Sequence, residues 1–402
     1  MPGSRTILVV DRSALAGNTT SNMNIFEQMA AQDHEQVIAF QNRATGLRGF
    51  LAIHDTTLGP ALGGVRLWRY ADDAEALADA LRLSRAMTYK ASLAELPCGG
   101  GKAVIPMHDA LKRAEAFEAL GQVIQSLRGR FFTARDVGIT DDDLGSIACT
   151  TRYVAREPSP ELGDISEHTA LGVWHGMRAC LEFARLKKAR VAVQGVGSVG
   201  MWLARILRGE GMELVLADLD PERAQKAARE LGAEVVPPER ILETRCDVLA
   251  PCALGGVVSH ETIPRIQARI ICGSANNILA APDSRPAGRT GSGEGFAAGP
   301  GPGDELARRG ILYAPDYLVN AGGLIRGAEF YLLKRADSHD SLARIYDRMW
   351  RVLELSRERA LSTARIADEM AEARLKRPKI FRDLFWGFGS TGLTAAGGAT
   401  EN

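Results

Sequence analysis

At 402 residues with a 46% hydrophobic fraction, the chain is longer than one core normally holds, so two domains are expected. Its 49 Lys plus Arg balance 49 Asp plus Glu, and zero formal net charge argues against nucleic acid or an anionic membrane as the main partner. The six cysteines (Cys98, Cys149, Cys180, Cys246, Cys252, Cys272) include no Cys-x-x-Cys pair, which disfavours a zinc site and favours a reducing, cytoplasmic compartment.

Residues 1–23, rich in Gly, Ser, Thr and Asn, read as a flexible extension; the apolar run at 7–10 is too short for a signal-peptide core or a membrane span. Strand-like alternation follows at 35–41 and 48–54, then the glycine-punctuated stretch Leu58-Gly59-Pro60-Ala61-Leu62-Gly63-Gly64-Val65-Arg66. An amphipathic helix carrying Leu77, Ala80, Leu81, Ser84 and Met87 places Lys90 near its apolar side. Beyond it, Cys98-Gly99-Gly100-Gly101-Lys102 reads as a loop into a short buried strand, Ala103-Val104-Ile105-Pro106. Three consecutive glycines are costly unless the backbone turns sharply or something approaches it closely. A lysine taken at random is a solvated surface charge. These two stand close to core, where desolvation lowers an ammonium pKa toward roughly 7 to 8 and fits it for acid/base work. A P-loop is excluded, because Leu96 and Ala103 occupy the positions that need glycine and a hydroxyl.

A second unit opens with a helix from about 166 to 186. The strand Arg190-Val191-Ala192-Val193-Gln194 then runs into Gly195-Val196-Gly197-Ser198-Val199-Gly200, a helix from 201 to 208, and a strand ending at Asp218. In that context the glycine pattern is a dinucleotide fingerprint. Gly195 permits the tight turn, Gly197 lets the pyrophosphate reach backbone N–H groups, and Gly200 lets the helix sit close to the strand. Asp218 should accept from the ribose hydroxyls and repel a 2'-phosphate, so NAD is expected rather than NADP. Strands ending at Ala250 and Cys272 follow. The segment 281–303, with almost no large apolar side chain, reads as a disordered insertion. Structure resumes at 311–323, and a long helix from about 338 carries Leu342, Ile345, Met349, Val352 and Leu353 on one stripe.

These motifs together resemble the glutamate/leucine/phenylalanine/valine dehydrogenase superfamily, most like its leucine and phenylalanine members. The resemblance rests on His54-Asp55-Thr56-Thr57 through Gly64, Met87-Thr88-Tyr89-Lys90, Gly99-Gly100-Gly101-Lys102 and Asp136-Val137-Gly138. Thr169-Ala170, the dinucleotide loop, Gly273-Ser274-Ala275-Asn276-Asn277 and Ala314-Pro315-Asp316-Tyr317 extend it. It implies an α/β fold of two domains: residues 24–165 plus about 361–402 as the substrate-binding and oligomerisation domain, and 166–360 as a Rossmann domain, separated by a cleft. It also implies NAD-dependent, reversible oxidative deamination of an L-amino acid to a 2-oxo acid and ammonium, by a homo-oligomer (dimer or octamer).

By the same resemblance Lys90 binds the substrate carboxylate, Lys102 activates the water that attacks the imino acid, and Asp136 moves protons at the amino nitrogen. Gly63, Gly64, Met87, Ala134 and Asn277 complete the substrate side. Thr169, Cys252, Ala253, Ala275 and Asn276 join the dinucleotide loop on the cofactor side. Two nearby cations are expected to lower each other's pKa. One departure is Glu167-His168, where the family usually carries a Ser-Pro-like pair, which bears on Thr169. Glutamate enzymes place a lysine where Leu62 stands and a pocket hydroxyl where Gly327 stands. A substrate carboxylate among Leu62, Ala134, Leu324 and Gly327 would go unpaired at a cost of several kcal/mol, so the substrate side chain should be apolar. A hydroxy-acid dehydrogenase would need a histidine with an acidic partner, a signature that His54 and His108 lack. An inactive NAD-binding regulator is the other alternative, and Lys90, Lys102 and Asp136 together argue against it.

Overall fold

The computed structural model describes residues 24–155, 161–280 and 300–376. The expected extension 1–23, residues 281–299 of the expected insertion and the tail from 377 lie outside the described residues. The chain begins with α1 (Ile25–Ala31), β1 (Gln36–Asn42), β2 (Leu47–Asp55), β3 (Ala61–Trp68), α2 (Asp73–Leu93), β4 (Gly99–Pro106), α3 (Arg113–Ser126), β5 (Phe131–Arg135) and α4 (Asp141–Ala148). Its five strands form a sheet of order β1-β2-β4-β3-β5, in which β3 runs parallel to both β4 and β5.

The three glycines after Cys98 do not form a loop; they are the first residues of β4, buried and extended. Close approach, the other reason to spend glycine, explains them. A Cβ on Gly99 would lie 1.7 Å from the Asp55 carbonyl oxygen, and one on Gly100 2.1 Å from the Thr88 nitrogen. Helix α2 therefore lies directly on β4. Gly63 and Gly64 likewise belong to a strand, β3, where a Cβ on Gly63 would fall 1.6 Å from the Gly101 oxygen.

The second half comprises α5 (Ile165–Phe183), β6 (Arg190–Gln194), α6 (Ser198–Gly209), β7 (Glu213–Ala217), α7 (Pro221–Leu231), β8 (Glu234–Val235), β9 (Val248–Pro251), β10 (Ile270–Ile271), α8 (Pro302–Arg308), β11 (Leu312–Tyr313), α9 (Asp316–Val319), α10 (Gly322–Tyr331), α11 (His339–Arg359) and α12 (Thr363–Leu375). Its strands all pair in parallel in the order β11-β10-β9-β6-β7-β8. Counted along the chain, this is the Rossmann order, with its switch point between β6 and β9. Strands buried on both faces need continuous apolar runs, and Val191-Ala192-Val193 and Leu214-Val215-Leu216 supply them. Part of the expected insertion is helical: α8 starts at Pro302, and the Asp304 carboxylate accepts the Gly301 N–H at 3.2 Å while Leu306 is buried.

Two features join the sheets. The end of α2 packs Ala91, Ala94 and Leu96 against Ile325, Ala328 and Leu342 of α10 and α11. Helix α12 touches both sides: Tyr89 and Ser92 of α2 donate to Glu372 and the Ala371 carbonyl at 2.7 and 2.8 Å, while Tyr317 donates to Asp368 at 2.6 Å. Among the described residues, no helix is long and apolar enough to cross a membrane.

Candidate active site

Side chains alternate along a strand, so Gly100 and Lys102 share the face of β4 on which α2 lies. Lys90 sits in the last turn of α2, so both lysines reach one cavity of about 410 Å³ between the sheets. Strand β3 separates β4 from β5 and brings Asp136, just past β5, beside Lys102. Gly64 makes the room, since a Cβ there would lie 2.8 Å from that of Asp136. The Lys102 ammonium donates to Asp136 Oδ2 at 2.8 Å, and Lys102 is 5% exposed.

Burial pulls the Lys90 ammonium down to about 8, with Asp316 opposing and Lys102 adding to the fall. Burial also lowers Lys102, against the pull of Asp136, and the cation that adds to that fall is Arg66. Desolvation, more than repulsion between the two lysines, therefore tunes both. The Asp136 carboxyl is pushed up by burial, but Lys102 and Arg66 outweigh this and hold it below the usual carboxylate range.

Leu62, Gly63, Gly64, Met87, Ala134, Leu324 and Gly327 line the same cavity as Lys90, Lys102 and Asp136. From the other side come Thr169, Val199, Asn276 and Asn277. Asn276, not its neighbour, meets the lysine: its Oδ1 accepts from Lys90 Nζ at 3.0 Å across the cleft. Asn277 is exposed with φ 53°, in the left-handed region that asparagine tolerates. The Thr169 hydroxyl donates to the Ile165 carbonyl within its own helix at 2.8 Å.

The remaining cofactor-side residues gather at the switch point. Gly195 has φ 92°, and a Cβ there would press on Ala253, which follows Cys252 off β9. A Cβ on Gly200 would sit 2.0 Å from the Gly195 oxygen. At Gly197 a Cβ would meet nothing, and no side chain caps α6, which begins at Ser198, three residues before its expected start. Open space before first-turn N–H groups suits a pyrophosphate. Asp218 Oδ2 accepts the Val196 N–H at 2.8 Å, fixing the loop, and Oδ1 lies 3.4 Å from Arg223. Ala275 is buried beneath this site, its N–H bonded to the Pro251 carbonyl.

Three residues emerge only from geometry. Arg66 Nε donates to Asp136 Oδ2 at 2.8 Å. Asp316, its carboxyl raised by burial, accepts the Ile278 N–H at 2.6 Å and so holds the loop that carries Asn276. Asn320 Nδ2 donates to Asn276 Oδ1 at 2.9 Å. Each lies in a stretch already singled out, but nothing local to it marks the distant partner. His54 and His108 are structural, bonded to Thr88 and to the Gly46 carbonyl.

Residues 34–153 match the family described as Glu/Leu/Phe/Val dehydrogenase, dimerisation domain. The chain is 41% identical to leucine dehydrogenase of Thermoactinomyces intermedius over 90% of its own length and 96% of the relative's. It is 39% identical to phenylalanine dehydrogenase of Bacillus thermotolerans, over 88% and 91%. The chain belongs to the Glu/Leu/Phe/Val dehydrogenase family. It is an NAD-dependent amino acid dehydrogenase. The crystal structure of L-tryptophan dehydrogenase from Nostoc punctiforme superposes with a TM-score of 0.72 at 40% identity, covering 87% of this chain and 98% of that one.

Proposed function

We propose that this dehydrogenase deaminates apolar L-amino acids with large side chains, aromatic as well as branched aliphatic, to their 2-oxo acids. The observation that carries the reading is at Gly327: a Cβ there would meet nothing within 4 Å, in a wall shared with Leu62, Met87, Ala134 and Leu324. Leucine-type enzymes tend to place valine at this position, so its absence deepens the pocket. Relatives named for leucine, phenylalanine and tryptophan lie within three percentage points of one another in identity, which fits a broad apolar pocket. One methylene is worth only about 1 to 3 kcal/mol in such a pocket, so several substrates should turn over.

In this reading Lys90 exchanges its bond to Asn276 for the substrate carboxylate. NAD held at the glycine loop would supply the acceptor for the hydride of the substrate Cα. Lys102, whose ammonium burial lowers against the pull of Asp136, gives up its proton and in that neutral form removes a proton from water as the water attacks the imino carbon. Asp136 receives the proton of the amino group and returns it as ammonia leaves. Gly195, Val196, Gly197, Ser198, Val199 and Gly200 cradle the pyrophosphate, Asp218 faces the ribose, Cys252, Ala253 and Ala275 floor the site, and Thr169 and Asn276 face the nicotinamide end. Among the described residues, those of 24–165 with 361–376 form the substrate domain and those of 166–360 the NAD domain. The family's dimerisation description supports a homo-oligomer, dimer or octamer, and six free cysteines support a cytoplasmic setting.

A panel of kcat/KM values for leucine, valine, phenylalanine and tryptophan tests the substrate. Leucine and phenylalanine should fall within about tenfold of each other. A clear preference for valine over every larger side chain would rule the reading out.

A further inference from the structure

Asp136 presents its two oxygens unequally. Both cations it meets fall on Oδ2: Lys102 Nζ at 2.8 Å and Arg66 Nε at 2.8 Å. Among the described residues, no hydrogen bond reaches Oδ1, which leaves that oxygen for the substrate nitrogen. Arg66 is itself fixed from behind. Its Nη1 donates to Asp79 Oδ2 at 3.1 Å, the Tyr70 hydroxyl donates to the same oxygen at 2.7 Å, and Arg82 takes Asp79 Oδ1 at 2.6 Å. The guanidinium is thus stretched between a carboxylate of α2 and the carboxylate of the reacting site, with its side chain 21% exposed.

The two cations on Oδ2 are not equivalent. A lysine that serves as a base must give up its charge, and a neutral Lys102 no longer holds Asp136 ionised. An arginine keeps its charge throughout. We propose that Arg66 is a positioning residue for the reaction: a permanent cation that keeps Asp136 ionised with Oδ1 turned to the substrate nitrogen, and so releases Lys102 to act as the neutral base. The inference rests on the reading of Lys102 and Asp136 as the acid–base pair. The other charged groups that face the pair are Lys90 and Asp79 of α2, Arg135 of β5 and Asp316 of α9, with Arg82 behind Asp79. Of these, Lys90 and Arg135 line the cavity as cations; Lys90 feels the Asp136 charge at a distance, and among the described residues neither makes a hydrogen bond or ion pair with it.

The test is the pH profile of kcat/KM for oxidative deamination by the full-length enzyme with its best panel substrate, beside melting temperature and NAD affinity. In Arg66→Met, Lys102 becomes the sole cation on Asp136 and holds its proton more tightly, so the acid limb should move up by about one pH unit. Arg66→Lys, which keeps the charge, should bring the limb most of the way back. A folded Arg66→Met enzyme whose acid limb stays at the wild-type position overturns the proposal, as does an Arg66→Lys limb no nearer to wild type than that of Arg66→Met. If Arg66→Met fails to fold, Asp79→Asn decides. It removes a carboxylate and leaves Arg66 on Asp136, so the limb should move down by about half a unit; a limb at or above the wild-type position overturns the proposal. Failure of the underlying reading looks different: Lys102→Ala would then keep its turnover, whatever the Arg66 variants do.

Discussion

The two walls of the cleft are made of different material. On the first sheet the site consists of side chains already paired with one another, Lys102 and Arg66 on Asp136, where burial lowers the lysine and the two cations hold the carboxyl ionised. On the second it consists of backbone: a glycine loop, an uncapped helix start and space where a side chain would be. Side-chain chemistry can be removed one group at a time, whereas a backbone cradle is damaged by adding atoms. Changes to the first wall should therefore alter turnover, and changes to the second should alter cofactor affinity.

The sharpest way to break that contrast is Lys102→Ala. Loss of the base should lower kcat by about a thousandfold while NAD affinity, measured by NADH fluorescence, stays within twofold. Near-full turnover, or a parallel loss of NAD binding, would dissolve the distinction between the walls. Acid should next act on the first wall. Burial lowers both His34 and His54, which stand edge to face at 4.8 Å, to about 4. Between pH 6.5 and 4 the unfolded chain binds more protons than the folded one, so stability is complete above about 6.5 and is lost as pH falls toward 4. The loss should be at most about 2 kcal/mol per histidine, read from urea midpoints at pH 7.5 and 5. Equal midpoints would mean that these rings are not buried neutral.

On the second wall, Gly200→Ala places a Cβ against the Gly195 oxygen and should weaken NAD binding about tenfold or more. The ratio of leucine to phenylalanine kcat/KM should stay as it was, and a change in that ratio would show the walls to be coupled. The smallest effect is expected at Gly327→Val, which refills the pocket. Phenylalanine and tryptophan should lose roughly five- to tenfold in kcat/KM relative to leucine, and an unchanged ratio would place the side-chain pocket elsewhere.

How much was legible in the sequence follows the same division. The dinucleotide loop is local: strand, glycine turn, helix and Asp218 lie within 29 consecutive residues, 190–218, where the glycine spacing between two apolar runs exposes it. The α11 stripe was equally plain, and Leu342, Ile345, Met349, Val352 and Leu353 are all buried. Glycines 99–101 were harder, because a missing side chain signals a turn and a close approach alike. The answer lay with Asp55, Thr88 and Phe131, far along the chain. Arg66 was hidden for the same reason, since the carboxylate it meets is 70 residues away. The helix at Pro302 was masked by the Gly- and Pro-rich stretch that runs into it: the capping aspartate and the buried Leu306 come only after its first two residues.

Helix α12 is pinned to α2 through Glu372 and Ala371, and to the second sheet's side through Asp368 and the Thr363–Tyr313 bond of 2.6 Å. A rod fastened to both halves acts as an axle. A widening of the cleft that kept these four bonds would have to turn about it, with atoms beside α12 travelling least. The Lys90–Asn276 bond spans the gap itself, on the side of the cleft that such a turn would open.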